Sequence, residues 1–132
     1  MTCLVEQVPA VGVPEQGHIP PFFKEIYMSV LVGKQAPDFT VAAVLGNGEI
    51  VEDFNLASAI KGKYGLVFFY PLDFTFVCPS ELIALDHRIP DFQARNVEVI
   101  GVSIDSHFTH NAWRNTPINA GGIGQVKYTL AA

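Results

Sequence analysis

The sequence predicts an α/β fold built on a βαβ unit, and three stretches predict it. Residues 65–69 form an unbroken apolar run, Leu82, Leu85, Ile89 and Phe92 recur at helical spacing, and residues 97–104 form a second apolar run rich in β-branched side chains. Apolar runs of this kind fit strands covered on both faces. A strand, a crossover helix and a second strand take the usual right-handed connection. At 132 residues the chain is one domain or less, and its 49% hydrophobic content demands a packed core.

Taken in order, the chain opens on residues 1–27, where Pro9, Pro14, Pro20 and Pro21, with Gly12 and Gly17, break any periodic pattern. This stretch is expected to be an irregular extension. Residues 39–45 read as a strand, Gly46-Asn47-Gly48 as a tight turn with positive-φ residues, and residues 49–51 as the returning strand of a hairpin. Asp53 or Asn55 then caps a short helix through Ile60, ended by Lys61-Gly62-Lys63. After the central strand, to Tyr70, the next helix runs from Cys78 to about Arg95. Pro90 inside it should kink or interrupt it, and Asn96 should end it. Beyond the strand at 97–104, Asp105 or Ser106 caps a helix reaching Trp113 or Arg114, and Thr116-Pro117 stops it. A glycine-rich loop leads to the start of another strand at 126–130.

Bulk properties narrow the function. The net charge is −5 with a pI near 5.2, which disfavours a general nucleic-acid binder. No apolar run approaches the length of a membrane span, and no basic segment followed by an apolar core suggests a secretory signal. Two cysteines, Cys3 and Cys78, do not make a disulfide framework, so a reducing, cytoplasmic setting is the simplest expectation.

Cys78 stands where a buried strand has ended and a helix begins, the place where open α/β sheets put their chemistry. Only the thiolate is a strong nucleophile, and a helix N-terminus favours the anion. The Thr75 hydroxyl, three residues earlier, can reach the sulfur as donor or acceptor, and Pro71 and Pro79 restrict the loop at both ends. A lone cysteine is more commonly an inert core thiol. The Thr-x-x-Cys-Pro arrangement at a strand-to-helix junction points instead to an activated nucleophile.

The words around Cys78, residues 68–79 with Pro71-x-x-x-Thr75-x-x-Cys78 at their centre, resemble the peroxiredoxin active-site signature. The likeness is to the typical two-cysteine, alkyl hydroperoxide reductase C branch. It extends from about Met28 to the end, through Val32-Gly33-Lys34-Gln35-Ala36-Pro37-Asp38-Phe39, residues 99–108, Ala112-Trp113-Arg114-Asn115-Thr116-Pro117 and Gly121-Gly122-Ile123-Gly124. The resemblance implies a thioredoxin-like fold over residues 28–132 and a thiol-dependent peroxidase acting on hydrogen peroxide and organic hydroperoxides without a cofactor. In it Cys78 is the peroxidatic cysteine, Pro71 shields the pocket and Thr75 hydrogen-bonds sulfur and peroxide. It further implies a later arginine, a resolving cysteine, thioredoxin or a flavoprotein disulfide reductase as recycling partner, and assembly into a homodimer or larger ring. Arg88, Arg95 and Arg114 do not fall in the matching motif and receive no catalytic role. The chain is therefore expected to be a C-terminally truncated member. The alternative is an inactive fragment that only binds full-length homologues. Cys3 is expected to be a bystander.

Other constellations are weaker. His107 and His110 have a metal-compatible spacing but no evident third ligand, and a packed or solvated pair is the more ordinary outcome. The glycine-rich loop lacks the phosphate-cradle sequence, and no Cys-x-x-Cys marks a disulfide exchanger. Trp113 reads as a core or interface anchor, and Glu81 as an ordinary acidic residue in a helix's first turn.

Overall fold

The computed structural model describes residues 3–6, 31–75 and 78–132. Among the described residues six strands form one sheet: β1 (Cys3–Glu6), β2 (Thr40–Val44), β3 (Ile50–Asn55), β4 (Tyr64–Phe69), β5 (Val97–Val102) and β6 (Thr129–Ala131). Their order is β1-β4-β5-β6-β2-β3. The centre is parallel, β4 beside β5 beside β6, and the flanks are antiparallel. The helices are α1 (Leu56–Ala59), α2 (Cys78–Asp86), α3 (Ile89–Ala94) and α4 (His107–Asn115). The mixed α/β architecture is the one expected.

Alternation along the central strands divides the core in two. Leu66 and Phe68 of β4, Val99 of β5 and Leu130 of β6 meet Leu82 of α2, Ile89 of α3 and Trp113 of α4. Val67, Ile100, Val102 and Ala131 meet Phe54 of β3 and Leu56 of α1 on the other face. This second face also carries a cavity of about 860 Å³, lined by residues that include Val41, Leu56, Ile60, Val67, Phe69 and Val102.

Local chemistry explains the boundaries. Asn55, not Asp53, caps α1, its side-chain oxygen accepting the Ser58 N–H at 2.9 Å. Asp53 lies instead in β3, which runs four residues beyond the predicted 49–51 because it pairs with β2 as far as Thr40–Asn55. The predicted long helix breaks after Asp86, and Pro90 sits in the first turn of the restarted α3, where its missing N–H costs nothing. Asn96 terminates α3 in the left-handed region, at φ 57°. Ser106 caps α4 through the Thr109 N–H. In the hairpin turn only Gly48 takes positive φ, at 91°. Gly46 serves a different need, since a Cβ there would lie 2.4 Å from the Lys127 carbonyl oxygen.

The reading of residues 1–27 as irregular needs correction at one point. Residues 3–6 form β1, hydrogen-bonded antiparallel to β4 with Cys3 opposite Phe68. Without that partner β4 would be a bare edge, and an edge strand presents unpaired backbone groups to any extended segment. The rest of 1–27, and Met28 where the resemblance begins, lie outside the described residues.

Arg114 is 2% exposed and works as a clamp. Its guanidinium donates to the Leu45 and Gly46 carbonyls of the hairpin turn and to the Val126 carbonyl before β6. Burial lowers its pKa, so the charge is retained against a desolvation cost. Arg114→Leu should lower stability by roughly 3–5 kcal/mol, because three carbonyls lose a charged donor at once. Urea unfolding followed by circular dichroism measures this; a loss below about 1 kcal/mol would mean that water replaces the guanidinium without penalty.

Candidate active site

At the carboxyl end of β4 the chain turns through Tyr70, Pro71, Leu72, Asp73, Phe74 and Thr75, and α2 begins at Cys78. Cys78 therefore holds the first position of a nine-residue helix, as its sequence context predicts. Pro71 is exposed and Thr75 half-buried. The Thr75 hydroxyl donates to the Leu72 carbonyl at 3.2 Å and closes the loop on itself. A donation from Thr75 to sulfur requires that bond to be exchanged.

The loop is held from below by Asp73, whose side chain turns into the protein and is 3% exposed. One carboxylate oxygen accepts the Tyr70 hydroxyl at 2.9 Å. The other lies 2.6 Å from Nδ1 of His110, itself fully buried on α4. The Asp73 N–H donates to Asp105 Oδ2 at 2.8 Å, and that carboxylate also accepts the Ser103 hydroxyl at 2.8 Å. His110 Nε2 stands 3.2 Å from the carbonyl oxygen of Ala131 at the end of β6. The loop is thus pinned to the ends of β4, β5 and β6 and to α4 together.

Phe74 follows with φ 54°, a conformation that costs a bulky residue about 1–3 kcal/mol. Its ring lies 5.9 Å from that of Trp113, which is buried, stacks against Tyr70 at 6.1 Å and donates its indole N–H to the Gly121 carbonyl. Trp113 is the core anchor expected of it.

His107 and His110 part company: His107 Nε2 lies 3.3 Å from Glu52, while His110 belongs to Asp73. Among the described residues no group of three His, Cys, Asp or Glu could hold a metal ion. Among the described residues none of the three arginines bonds to the loop: Arg88 pairs with Asp91, Arg95 donates to the Asp91 carbonyl, and Arg114 clamps the hairpin. Among the described residues, the lining of the cavity on the second sheet face includes none of 71–75. Among the described residues no helix is long and apolar enough to cross a membrane.

Sequence reasoning missed Tyr70, Asp73, Ser103, Asp105 and His110 as a site. The only available signal was Asp73, a carboxylate between Leu72 and Phe74; His110, between Thr109 and Asn111, gave none.

Comparison with known proteins gives a consistent picture. The profile of the AhpC/TSA family matches residues 32–132. Alkyl hydroperoxide reductase C of Helicobacter pylori is 53% identical over 103 residues, covering 78% of this chain and 52% of that protein. Peroxiredoxin-1 of Gallus gallus is 52% identical over 101 residues, covering 76% and 50%. The crystal structure of the reduced 2-Cys peroxiredoxin of Plasmodium vivax superposes with a TM-score of 0.74 at 53% identity, covering 79% of this chain and 53% of that one. The chain spans about half the length of the curated relatives it matches.

Burial beside the Asp73 charge raises the pKa of the Tyr70 phenol far above its ordinary value, and burial does the same for Tyr128. Both phenols ionise near pH 10 once unfolded, so stability is full below about pH 10 and falls as pH rises further. Urea midpoints at stepped pH should be flat to about pH 9 and then drop, with a shallower drop in Tyr70→Phe. A drop unchanged by Tyr70→Phe would remove this phenol as a cause.

Proposed function

Because the chain belongs to the AhpC/TSA family, we propose that it supplies the nucleophile of a thiol peroxidase, with Cys78 as the peroxidatic cysteine. The observation that carries this reading is the position of Cys78 at the start of α2, after a loop anchored at Asp73 and closed at Thr75. The helix terminus favours the thiolate over the thiol. The thiolate attacks the terminal oxygen of a hydroperoxide, the O–O bond breaks heterolytically, and the leaving oxygen takes a proton. Cys78 becomes a sulfenic acid, and water or an alcohol departs. Pro71 keeps the loop stiff at its entrance, and Thr75 orients sulfur and peroxide once its bond to Leu72 is exchanged.

Recycling requires a second thiol and then a reductant such as thioredoxin or a flavoprotein disulfide reductase, in a cytoplasmic setting. A second copy of the chain, in a homodimer or larger ring, is the expected assembly.

Reduced protein receives a brief pulse of one equivalent of hydrogen peroxide with a sulfenic-acid trap, and intact mass with peptide mapping locates the adduct. Trapping should be confined to Cys78, absent in Cys78→Ser, and faster than at Cys3 by roughly a hundredfold or more. Equal labelling of Cys3 and Cys78 in folded protein would overturn the peroxidase and leave a chain that only binds longer homologues.

A further inference from the structure

We propose that Asp73 and His110 are positioning residues: their buried pair fixes the loop that leads to Cys78 and thereby sets the reactivity of that thiol. The inference deepens the peroxidase reading and rests on it for its catalytic meaning, but the geometry concerns the thiol whatever it reacts with.

The pair joins the loop, α4 and β6 in one run of polar contacts. Asp73 lies in the loop, His110 on α4, and the carbonyl that His110 meets belongs to the last residue of β6. Both ring nitrogens of His110 face oxygens. A carbonyl oxygen only accepts, so the 3.2 Å contact to Ala131 needs a proton on Nε2. The 2.6 Å contact needs a second proton between Nδ1 and Asp73 Oδ2. The unit therefore holds two protons, and it is either an imidazolium with a carboxylate or a neutral ring with a carboxylic acid. Neither arrangement is available to a variant that has lost one partner.

The groups around the pair support its orientation. Tyr70 donates to the second Asp73 oxygen, while Asp105 accepts the Asp73 N–H from the opposite side. The Asp73 side chain and backbone are thus both committed, and the next residue, Phe74, is forced into its positive φ. That bend precedes the three residues leading to Cys78. Core filling alone would need neither two carboxylates nor a histidine with both nitrogens engaged.

The test compares Asp73→Asn, His110→Gln and, as a destabilised control far from the loop, Asn55→Ala, which removes the α1 cap. The readout is the rate of Cys78 alkylation by iodoacetamide, mapped by mass, beside the rate of peroxide oxidation. Both loop variants should slow alkylation about tenfold while Asn55→Ala leaves it unchanged, because displaced geometry is what costs reactivity. Folded loop variants with rates within about twofold of wild type would overturn the proposal. Should both variants unfold, NMR of the wild-type protein decides: it must show two exchange-protected protons, one on Nε2 and one shared in the Nδ1–Asp73 contact, and a single fast-exchanging ring proton overturns the pair. Alkylation needs no peroxide. A wild-type chain that alkylates fast and oxidises slowly would end the peroxidase reading and leave the positioning role standing.

Discussion

A carboxylate that leaves water must be repaid by hydrogen bonds, and Asp73 is repaid on every side. Tyr70 and His110 take its two oxygens, and Asp105 takes its backbone N–H. These partners come from the end of β4, the β5–α4 junction and α4, so the loop cannot move without breaking bonds to all three. The sheet itself is held by ordinary apolar burial, with Phe68, Ile100 and Leu130 almost wholly enclosed. What burial alone cannot supply is the direction in which the loop leaves β4, and the buried carboxylate supplies that. Removing one partner of such a pair is costly, of the order of 3–5 kcal/mol, because it strands the other in a dry site.

The strain in Phe74 follows from this. A bulky residue accepts positive φ only where its neighbours determine the backbone more strongly than its own preference does. Here Asp73 is bound before it, the Thr75 hydroxyl closes back on Leu72 after it, and the Trp113 ring receives its side chain. The helix then starts at Cys78, with its N-terminal partial charge on the residue proposed as the nucleophile. Arg114, on the same helix as His110, uses its charge on the other side of the fold, where it ties the β2–β3 turn to the approach of β6. One helix thus fastens both the loop after β4 and the hairpin.

Much of this was legible in the residues. The apolar runs marked β4 and β5, Asn96 and Pro90 marked a helix end and a break, and local chemistry narrowed the two caps to Asp53 or Asn55 and Asp105 or Ser106, of which Asn55 and Ser106 serve. Cys78 at the head of a helix was legible for the same reason, since Pro79 and Glu81 are first-turn residues. The Asp73–His110 pair was not, because its members stand 37 positions apart and their meeting depends on how α4 packs against the end of β4. His110 read as one of a histidine pair with His107, yet the two residues serve different carboxylates. β1 was hidden for another reason: prolines nearby break the pattern of residues 1–27, and four residues are too few for alternation to show. Its pairing depends on the open edge of β4, a property of the sheet and not of the segment.

The account rests on the claim that position activates the Cys78 thiol. The direct measurement is the pH dependence of Cys78 alkylation in the reduced wild-type protein, with Cys3 as internal reference. The account predicts a Cys78 profile whose midpoint lies at least about one unit below the ordinary thiol value near 8.5, as expected for a thiolate held at a helix N-terminus. A midpoint at or above that value in folded protein would mean that the loop and helix bury a common cysteine, and the central claim would fail.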